Sequence, residues 1–318
     1  MKAIWREIVM SVIMGMILPG ILLNWSVKMD LPEEKPFRPV EPQQSVNRVR
    51  LTMKLRRGDG TVEQMDMDEY LMGVILAELP STFEQEAKKA QAVAARTFAR
   101  KAYVTGGKHG DGSVCEEPGC CQAYLTNSRY LEMGGSEAAI QEAKDAVEAT
   151  SGYVLTYEGR LIEATYFSCS GGSTEDAVAV WGTDFPYLRA VDSPGEEYAV
   201  HHEDVVEFTR SELEGKLGIS LSGNWLGKAS YTAGGGVDTI TLGGKTFSGK
   251  QLRSLLGLRS TAFAIEETAE GVRIQTKGFG HRVGMSQYGA DAMAMAGSSC
   301  WEILAWYYPG TTPELVEE

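Results

Sequence analysis

The apolar positions of this chain change pattern several times, and each change predicts a different kind of structure. Residues 8–25 (IVMSVIMGMILPGILLNW) run without a charge, long enough as a helix at ~1.5 Å per residue to nearly cross a bilayer core. Lys2 and Arg6 precede the run and Trp5 and Trp25 bracket it, so the chain is expected to carry a single-pass anchor, with residues 1–7 a cytoplasmic tail and the rest exported. A cleaved signal peptide is the rival, with Pro19 and Gly20 near its end, but no small-x-small cleavage site follows. Residues 26–48 hold Pro32, Pro36, Pro39 and Pro42 among polar side chains with no apolar period, the pattern of a semi-extended linker.

From residue 49 the pattern becomes that of a folded domain. VRLTMKLRRGDGTVEQM alternates, turns at Gly58-Asp59-Gly60 and resumes as a second strand. Residues 67–79 (MDEYLMGVILAEL) take a helical period with Leu71, Val74, Ile75 and Glu78 on one side, and Pro80 ends it. The spacing Ser81-Thr82-Phe83-Glu84 predicts a capping box opening a long helix over 83–104, where Phe83, Ala87, Ala90, Ala94 and Phe98 form a narrow small-residue stripe. Further helices are expected over 136–148, 249–256 and 287–296, and strands over 153–157 and 161–167 around a Glu158-Gly159 turn. Residues 229–277 alternate turn-rich and strand-like stretches. Runs of helix and runs of strand, without repeats, define an α+β class, arranged as two lobes behind the anchor.

Glu78 stands out because it is a carboxylate where the stripe would carry a leucine. Burial and the negative end of its helix both raise a carboxyl pKa there, which suits a general acid acting on a glycosidic oxygen; a last-turn Glu pointing into water is the plainer alternative. Glu84 and Glu86 sit in the first turn of the next helix, where the dipole favours the ionised form.

Composition narrows the partners. A formal charge of −13 and pI near 4.9 argue against nucleic acid or an anionic membrane surface, and 43% hydrophobic residues suffice for a core. His109, Cys115, Cys120 and Cys121 fall close together in HGDGSVCEEPGCC, a donor set suited to tetrahedral zinc. Disulfides are the competing use of these cysteines in an exported domain. Cys169 and Cys300 are either buried thiols or a distant pair.

Three ordered blocks carry a resemblance. LMGVILAELPSTFEQEAKKAQAVAARTFAR (71–100), FSCSGGSTEDAVAVWGTDFPYLRAV (167–191) and GFGHRVGMSQYGADAMAMAGSSCWEILAWYYPGT (278–311) resemble the stage II sporulation protein D family, which groups with amidase-enhancer proteins. The resemblance covers roughly 49–312, taken as the catalytic domain, with 313–318 a tail. It implies a membrane-anchored lytic transglycosylase that cuts peptidoglycan strands stripped of stem peptides during engulfment in sporulation, with Glu78 at the catalytic position. It also implies zinc on His109, Cys115 and Cys121, with Cys120 a candidate fourth ligand, and as partners an amidase of the stage II sporulation protein P type and stage II sporulation protein M. One residue departs from the family: Arg282 stands where a glycine is usual after the histidine of the third block.

Other residues of the blocks suggest substrate contacts. Ser168, Ser170 and Ser173 with the amides of Gly171 and Gly172 can bond sugar hydroxyls, and Trp181 and Tyr187 offer flat faces. Trp301, Trp306, Tyr307 and Tyr308 could do the same, but such aromatics more often belong to the core. In the third block, His281 reads either as a donor to substrate or as a packing histidine, and Gln287 and Tyr288 begin the helix beside it. His201 and His202 lie in a charged, solvated stretch. SCSGG lacks the Gly-x-Ser-x-Gly elbow of a serine hydrolase. Glycosidases usually need two carboxylates, and the sequence offers one persuasive candidate; Asp176 and Asp184 are the first to consider as a second. A transglycosylase manages with one. A thiolate-rich set drawn from one short segment suits a structural zinc, leaving a zinc amidase or deacetylase and a non-catalytic glycan-binding amidase enhancer as alternative functions.

Overall fold

The structure is a computed structural model that describes residues 51–316. The predicted tail, anchor and linker of residues 1–48 lie outside the described residues. Among the described residues no helix is long and apolar enough to cross a membrane.

The alternation after residue 49 becomes an antiparallel hairpin, β1 (Thr52–Arg56) and β2 (Val62–Asp66), in which Met53 pairs with Met65 and Arg56 with Val62. Asp66 ends β2 and caps α1 (Met67–Glu78) by accepting from the amides of Asp68 and Glu69. Tyr70, Leu71, Val74 and Ile75 are buried as the helical period requires. The helix ends when Leu79 turns extended ahead of Pro80. Gly73 of α1 has a steric reason: a β-carbon there would lie 2.3 Å from the Tyr124 ring and 2.5 Å from the Leu125 carbonyl oxygen. Only a glycine lets segment 124–125 run this close to the helix, and the Leu125 amide donates to the Gly73 carbonyl at 3.1 Å.

The long helix, α2 (Gln85–Thr105), is the axis of the first lobe. The expected Ser81–Glu84 capping box does not form. The Glu84 amide instead donates to Asp291 Oδ1 at 2.6 Å, and the Ser81 carbonyl accepts from Lys88 Nζ. A carboxylate from a distant helix is a stronger acceptor than a local serine hydroxyl, and it wins the orphan amide. The expected narrow stripe is corrected too. Ala92, Val93, Ala95, Arg96 and Thr97 are buried along with Ala87, Ala90 and Ala94, because neighbours pack all round α2. Its alanines let α4 (Glu137–Ala149), β4 (Tyr153–Tyr157), α8 (Gln287–Met295) and α9 (Cys300–Tyr307) approach closely. Arg96, fully buried, donates to the carbonyls of Thr150 and Val147 at the end of α4 and to Asp68, so a cation meets the negative end of that helix.

The remaining elements of this lobe are short: β3 (Ser113–Cys115), α3 (Asn127–Glu132), β5 (Arg160–Leu161), β6 (Tyr166–Phe167), β7 (Gly172–Ser173), α5 (Ala177–Trp181) and β8 (Asp192–Ser193). The strand expected over 161–167 is two pieces. β5 closes a hairpin with β4 through Glu158 and Gly159, both at positive φ, whereas β6 pairs with β15 (Met285–Ser286) in parallel. The chain leaves the 161–164 edge because Ile162 and Ala164 turn into the core. β16 (Thr312–Leu315) pairs with β4, so regular structure continues through Leu315 into the expected tail.

A second hydrophobic core lies in the segment between β8 and β15. Here β9 (Glu203–Phe208), β13 (Phe263–Glu267) and β14 (Val272–Lys277) form one sheet, and β10 (Leu226–Tyr231), β11 (Val237–Leu242) and β12 (Lys245–Ser248) another. Two helices with complete capping boxes, α6 (Arg210–Leu217) and α7 (Gly249–Leu256), pack with them around Leu213, Leu242, Leu252 and Ile274. The architecture is α+β with two cores.

Candidate functional site

Glu78 ends α1 half-buried, with both carboxylate oxygens engaged. Oε1 accepts from the Ala123 amide at 2.8 Å and Oε2 from Gln287 Nε2 at 3.2 Å. Burial raises its pKa above the ordinary carboxylate value, while the Ala123 amide and the Gln287 amide pull it partly back; burial wins. Among the described residues, the causes of the shift are burial and these two donors, with no carboxylate among them. Asp176 accepts from the Ala190 amide and Asp184 pairs with Arg189 at the surface, so both are engaged elsewhere.

The support of Glu78 comes from three distant stretches of chain. The parallel pairing of β15 with β6 sets Met285 opposite Tyr166 and delivers Gln287, the first residue of α8, to the carboxylate. Gln122, next to Ala123, bridges two buried phenols by accepting from Tyr70 at 2.7 Å and donating to Tyr166 at 2.9 Å. Neither Gln122 nor Tyr166 was singled out in the sequence. A backbone amide such as that of Ala123 leaves no signal there at all.

Immediately before Gln122 lies the cysteine cluster. The donor atoms of His109, Cys115, Cys120 and Cys121 all lie within 4.8 Å of one another. His109 Nε2 stands 3.6 Å from Cys121 Sγ and 3.9 Å from Cys120 Sγ, and the two sulfurs are 3.9 Å apart. Tetrahedral zinc with ligand bonds of ~2.3 Å to sulfur and ~2.0 Å to nitrogen spaces its ligands by about 3.5–3.8 Å, so the cluster could hold a metal ion of this kind, with the Cys120 sulfur near enough to be a fourth donor. All five cysteines are free thiols in this structure, with the Cys120 and Cys121 sulfurs 3.9 Å apart. The parallel pairing of β1 with β3 fixes Cys115 opposite Arg56, and the Cys120 and Cys121 amides both donate to the Glu117 carbonyl, a tight turn that aims vicinal thiols at one centre. Burial and neighbouring thiols push Cys121 up to about 12; a bound dication would reverse that.

The second and third blocks meet the site unevenly. Ser170 is fully buried, and its hydroxyl and amide donate to Glu196 at 2.9 and 2.6 Å. The Gly171 amide also reaches Glu196, and the Gly172 amide donates to Ser170 Oγ. Ser170 and the Gly171 amide satisfy an internal carboxylate, while Gly172 is exposed and only its amide turns back onto Ser170. Ser168 accepts through its carbonyl from the Tyr288 amide, tying β6 to α8. Tyr187 is buried, its hydroxyl accepting from the Glu163 amide. Tyr307 and Tyr308 are core residues, and Trp306 is exposed with its indole donating to the Asp192 carbonyl. Cys169 and Cys300 are buried thiols, the first donating to Glu196, the second pushed up to about 12 by burial.

His281 packs between the rings of Trp181 at 5.2 Å and Phe167 at 5.6 Å. Its Nδ1 accepts from the Val283 amide, and burial, helped by the charge of Arg253, lowers its pKa to about 4, so the imidazole is neutral at physiological pH. Tyr288 stacks edge-on with Phe83 and Tyr198. His201 pairs with Asp204 and meets the Phe279 ring, so it is not simply solvated. Arg282 explains its own departure from glycine. It adopts φ +64°, the region that glycine fills without strain, and turns its guanidinium into the core, where it bonds the carbonyls of Ser170, Ser173 and Gly234 and pairs with Glu175 at 3.2 Å.

A half-buried carboxylate at a helix end, braced by a segment that leaves a cysteine-rich cluster, defines the site. The sequence profile described as Stage II sporulation protein matches residues 56–157, which include Glu78 and the whole cluster. The chain is 38% identical over 262 residues to stage II sporulation protein D of Bacillus subtilis (strain 168), covering 80% of this chain and 76% of that protein. It is 39% identical over 261 residues to stage II sporulation protein D of Bacillus amyloliquefaciens, with the same coverage. An amidase enhancer of Bacillus subtilis is 29% identical over 301 residues, which span 40% of its length. This chain belongs to the stage II sporulation protein D family.

Proposed function

We propose that the protein is a lytic transglycosylase that cleaves stem-peptide-free peptidoglycan strands in the wall remodelling of sporulation. The placement of Glu78, half-buried at the end of α1 with two neutral donors on its oxygens and, among the described residues, no carboxylate hydrogen-bonded to it, is the observation that carries this reading. Protonated Glu78 donates to the glycosidic oxygen leaving C1 of N-acetylmuramic acid. The resulting carboxylate takes the proton of that sugar's own 6-hydroxyl as its oxygen bonds to C1. One C–O bond breaks and one forms, the product end is a 1,6-anhydro ring, and no water is consumed.

Gln287 and the Ala123 amide hold the carboxylate in place through both protonation states. The exposed edge of Trp181 beside neutral His281 serves as a sugar platform, and Tyr288, packed on Phe83 and Tyr198, is a further candidate ring on α8; His281 orients rather than transfers a proton. Ser168, Ser170, Gly171, Gly172 and Tyr187 shape the loops behind this surface. Zinc on His109, Cys115, Cys120 and Cys121 would supply a rigid cross-link for the loop that carries Gln122 and Ala123. A closed four-ligand set has no open position for a metal-bound nucleophile, which argues against a zinc amidase. The 8–25 run anchors the domain outside the cell membrane, where an amidase of the stage II sporulation protein P type and stage II sporulation protein M are the proposed partners.

The test is product analysis with full-length protein and amidase-treated glycan in isotopically labelled water. Anhydro ends, lighter than hydrolytic ends by one water and free of label, are expected. Labelled reducing ends would mean a hydrolase, and binding with faster amidase turnover but no cleavage would mean an enhancer, as the name of the Bacillus subtilis relative suggests.

A further inference from the structure

In a chain with 43 acidic and 30 basic side chains, cations readily find carboxylates. Arg253 is an exception beside the site. It projects from α7 half-buried, with no hydrogen bond or ion pair to its guanidinium among the described residues. Leaving a partly desolvated charge unpaired is costly unless a ligand pairs it. The chain after α7 is held against the third block, since the Gly280 amide donates to the Arg259 carbonyl at 3.1 Å, which brings this end of the helix to His281. Lys108 is a second cation whose charge reaches His281. It is exposed, donates to the Cys120 carbonyl, and has no carboxylate partner among the described residues. Its loop is tied to the same place, because Gln122 donates to Tyr166, the neighbour of the Phe167 ring that packs on His281. The charges of both Arg253 and Lys108 are felt at His281, which stays neutral.

We infer that Arg253 and Lys108 form an anion subsite flanking the Trp181–His281 rings, and that its ligand is the free lactyl carboxylate of N-acetylmuramic acid. The inference rests on the proposed glycan substrate and supplies the chemical basis of its selectivity. In an intact strand the lactyl carbonyl is an amide to the stem peptide and carries no charge. Amide hydrolysis leaves a carboxylate at that position, so two cations beside the sugar platform distinguish the stripped strand from the intact one by charge.

Binding is measured with full-length Glu78→Gln protein in detergent, using synthetic GlcNAc–MurNAc tetrasaccharides with free lactyl carboxylates or with lactyl carboxamides. The carboxylate form is expected to bind about tenfold more tightly, as charge-assisted hydrogen bonds do relative to neutral ones, and the preference should shrink as salt rises. Arg253→Gln with Lys108→Gln should lower it to less than about threefold at an unchanged melting temperature. Arg253→Lys should keep most of the preference, and affinity for an uncharged chitin tetrasaccharide should not move in any variant. Equal binding of the two saccharides, a preference that survives the double substitution, or no binding of either overturns the subsite. Cleavage by wild-type protein is scored separately: anhydro products from both saccharides at equal affinity sink the subsite and leave the transglycosylase standing, whereas selective binding without cleavage does the reverse.

Discussion

The amide of Ala123 donates to Glu78 Oε1 at 2.8 Å, so the segment leaving the cysteine cluster is also the segment that holds the carboxylate. Only Gln122 separates Ala123 from Cys121. Any change in how the cluster folds its loop is therefore passed directly to the proposed acid, without a metal taking part in the chemistry.

Glu78→Gln is expected to lower glycan cleavage by at least about 10²-fold, the usual contribution of general acid–base catalysis. Stability should move the other way. A carboxyl whose folded pKa lies above its ordinary value of 4.5 contributes stability that is full below that value and is lost as pH rises through the folded pKa. The neutral amide escapes this loss, so the melting temperature of Glu78→Gln should match or exceed wild type at neutral pH and lose that advantage in acid. Wild-type turnover by folded Glu78→Gln would exclude the assignment.

Gln287 stabilises the ionised form of Glu78, so Gln287→Ala should raise the Glu78 pKa further. In a pH–rate profile the general acid governs the alkaline limb, where activity falls as the proton is lost. That limb should shift to higher pH in Gln287→Ala, with a lower maximal rate as the carboxylate loses its brace. An unmoved limb would show that Glu78 is not the group it reports.

Metal analysis of purified protein should find about one zinc per chain, lost in Cys115→Ser and Cys121→Ser. Chelation should lower the melting temperature, and activity should fall because Ala123 no longer presents its amide. Zinc-free protein with full stability and full activity would remove the metal from the account.

Arg282→Gly tests which of two opposing effects dominates. Glycine relieves a left-handed backbone costing ~1–2 kcal/mol, but it strands the buried Glu175 carboxylate, and breaking a buried pair costs about 3–5 kcal/mol. The variant should therefore unfold at lower denaturant, by about 1–4 kcal/mol net on these figures, and Glu175→Gln should recover part of the loss. Equal stability would mean that the strain and the ion pair cancel.

Much of the fold was legible where its signals are local. The hairpin around Gly58-Asp59-Gly60, α1 with Glu78 at its end, and α7 follow from periodicity, turn residues and caps read within a single stretch. The composition of HGDGSVCEEPGCC pointed to a metal-type cluster for the same reason, since all four donors lie in one short loop. Contacts that override a local preference were not legible. Asp291 displaces the Ser81–Glu84 box across 207 residues of chain, Glu196 claims the donors of Ser170 and Gly171, and the polar alternation of β9 looks like a solvated stretch until β14 pairs with it.

What the sequence determined by itself is the kind of chemistry available: one carboxylate on a helical stripe, one thiolate-rich loop, and glycines at the turns. Only the tertiary structure decided how these are combined. The partners of Glu78 are a backbone amide, which has no side-chain identity to read, and Gln287, which reaches it only because β15 pairs with β6. Periodicity records which side of an element faces inward; it carries no record of which other element will be there, because that depends on the packing of the whole chain.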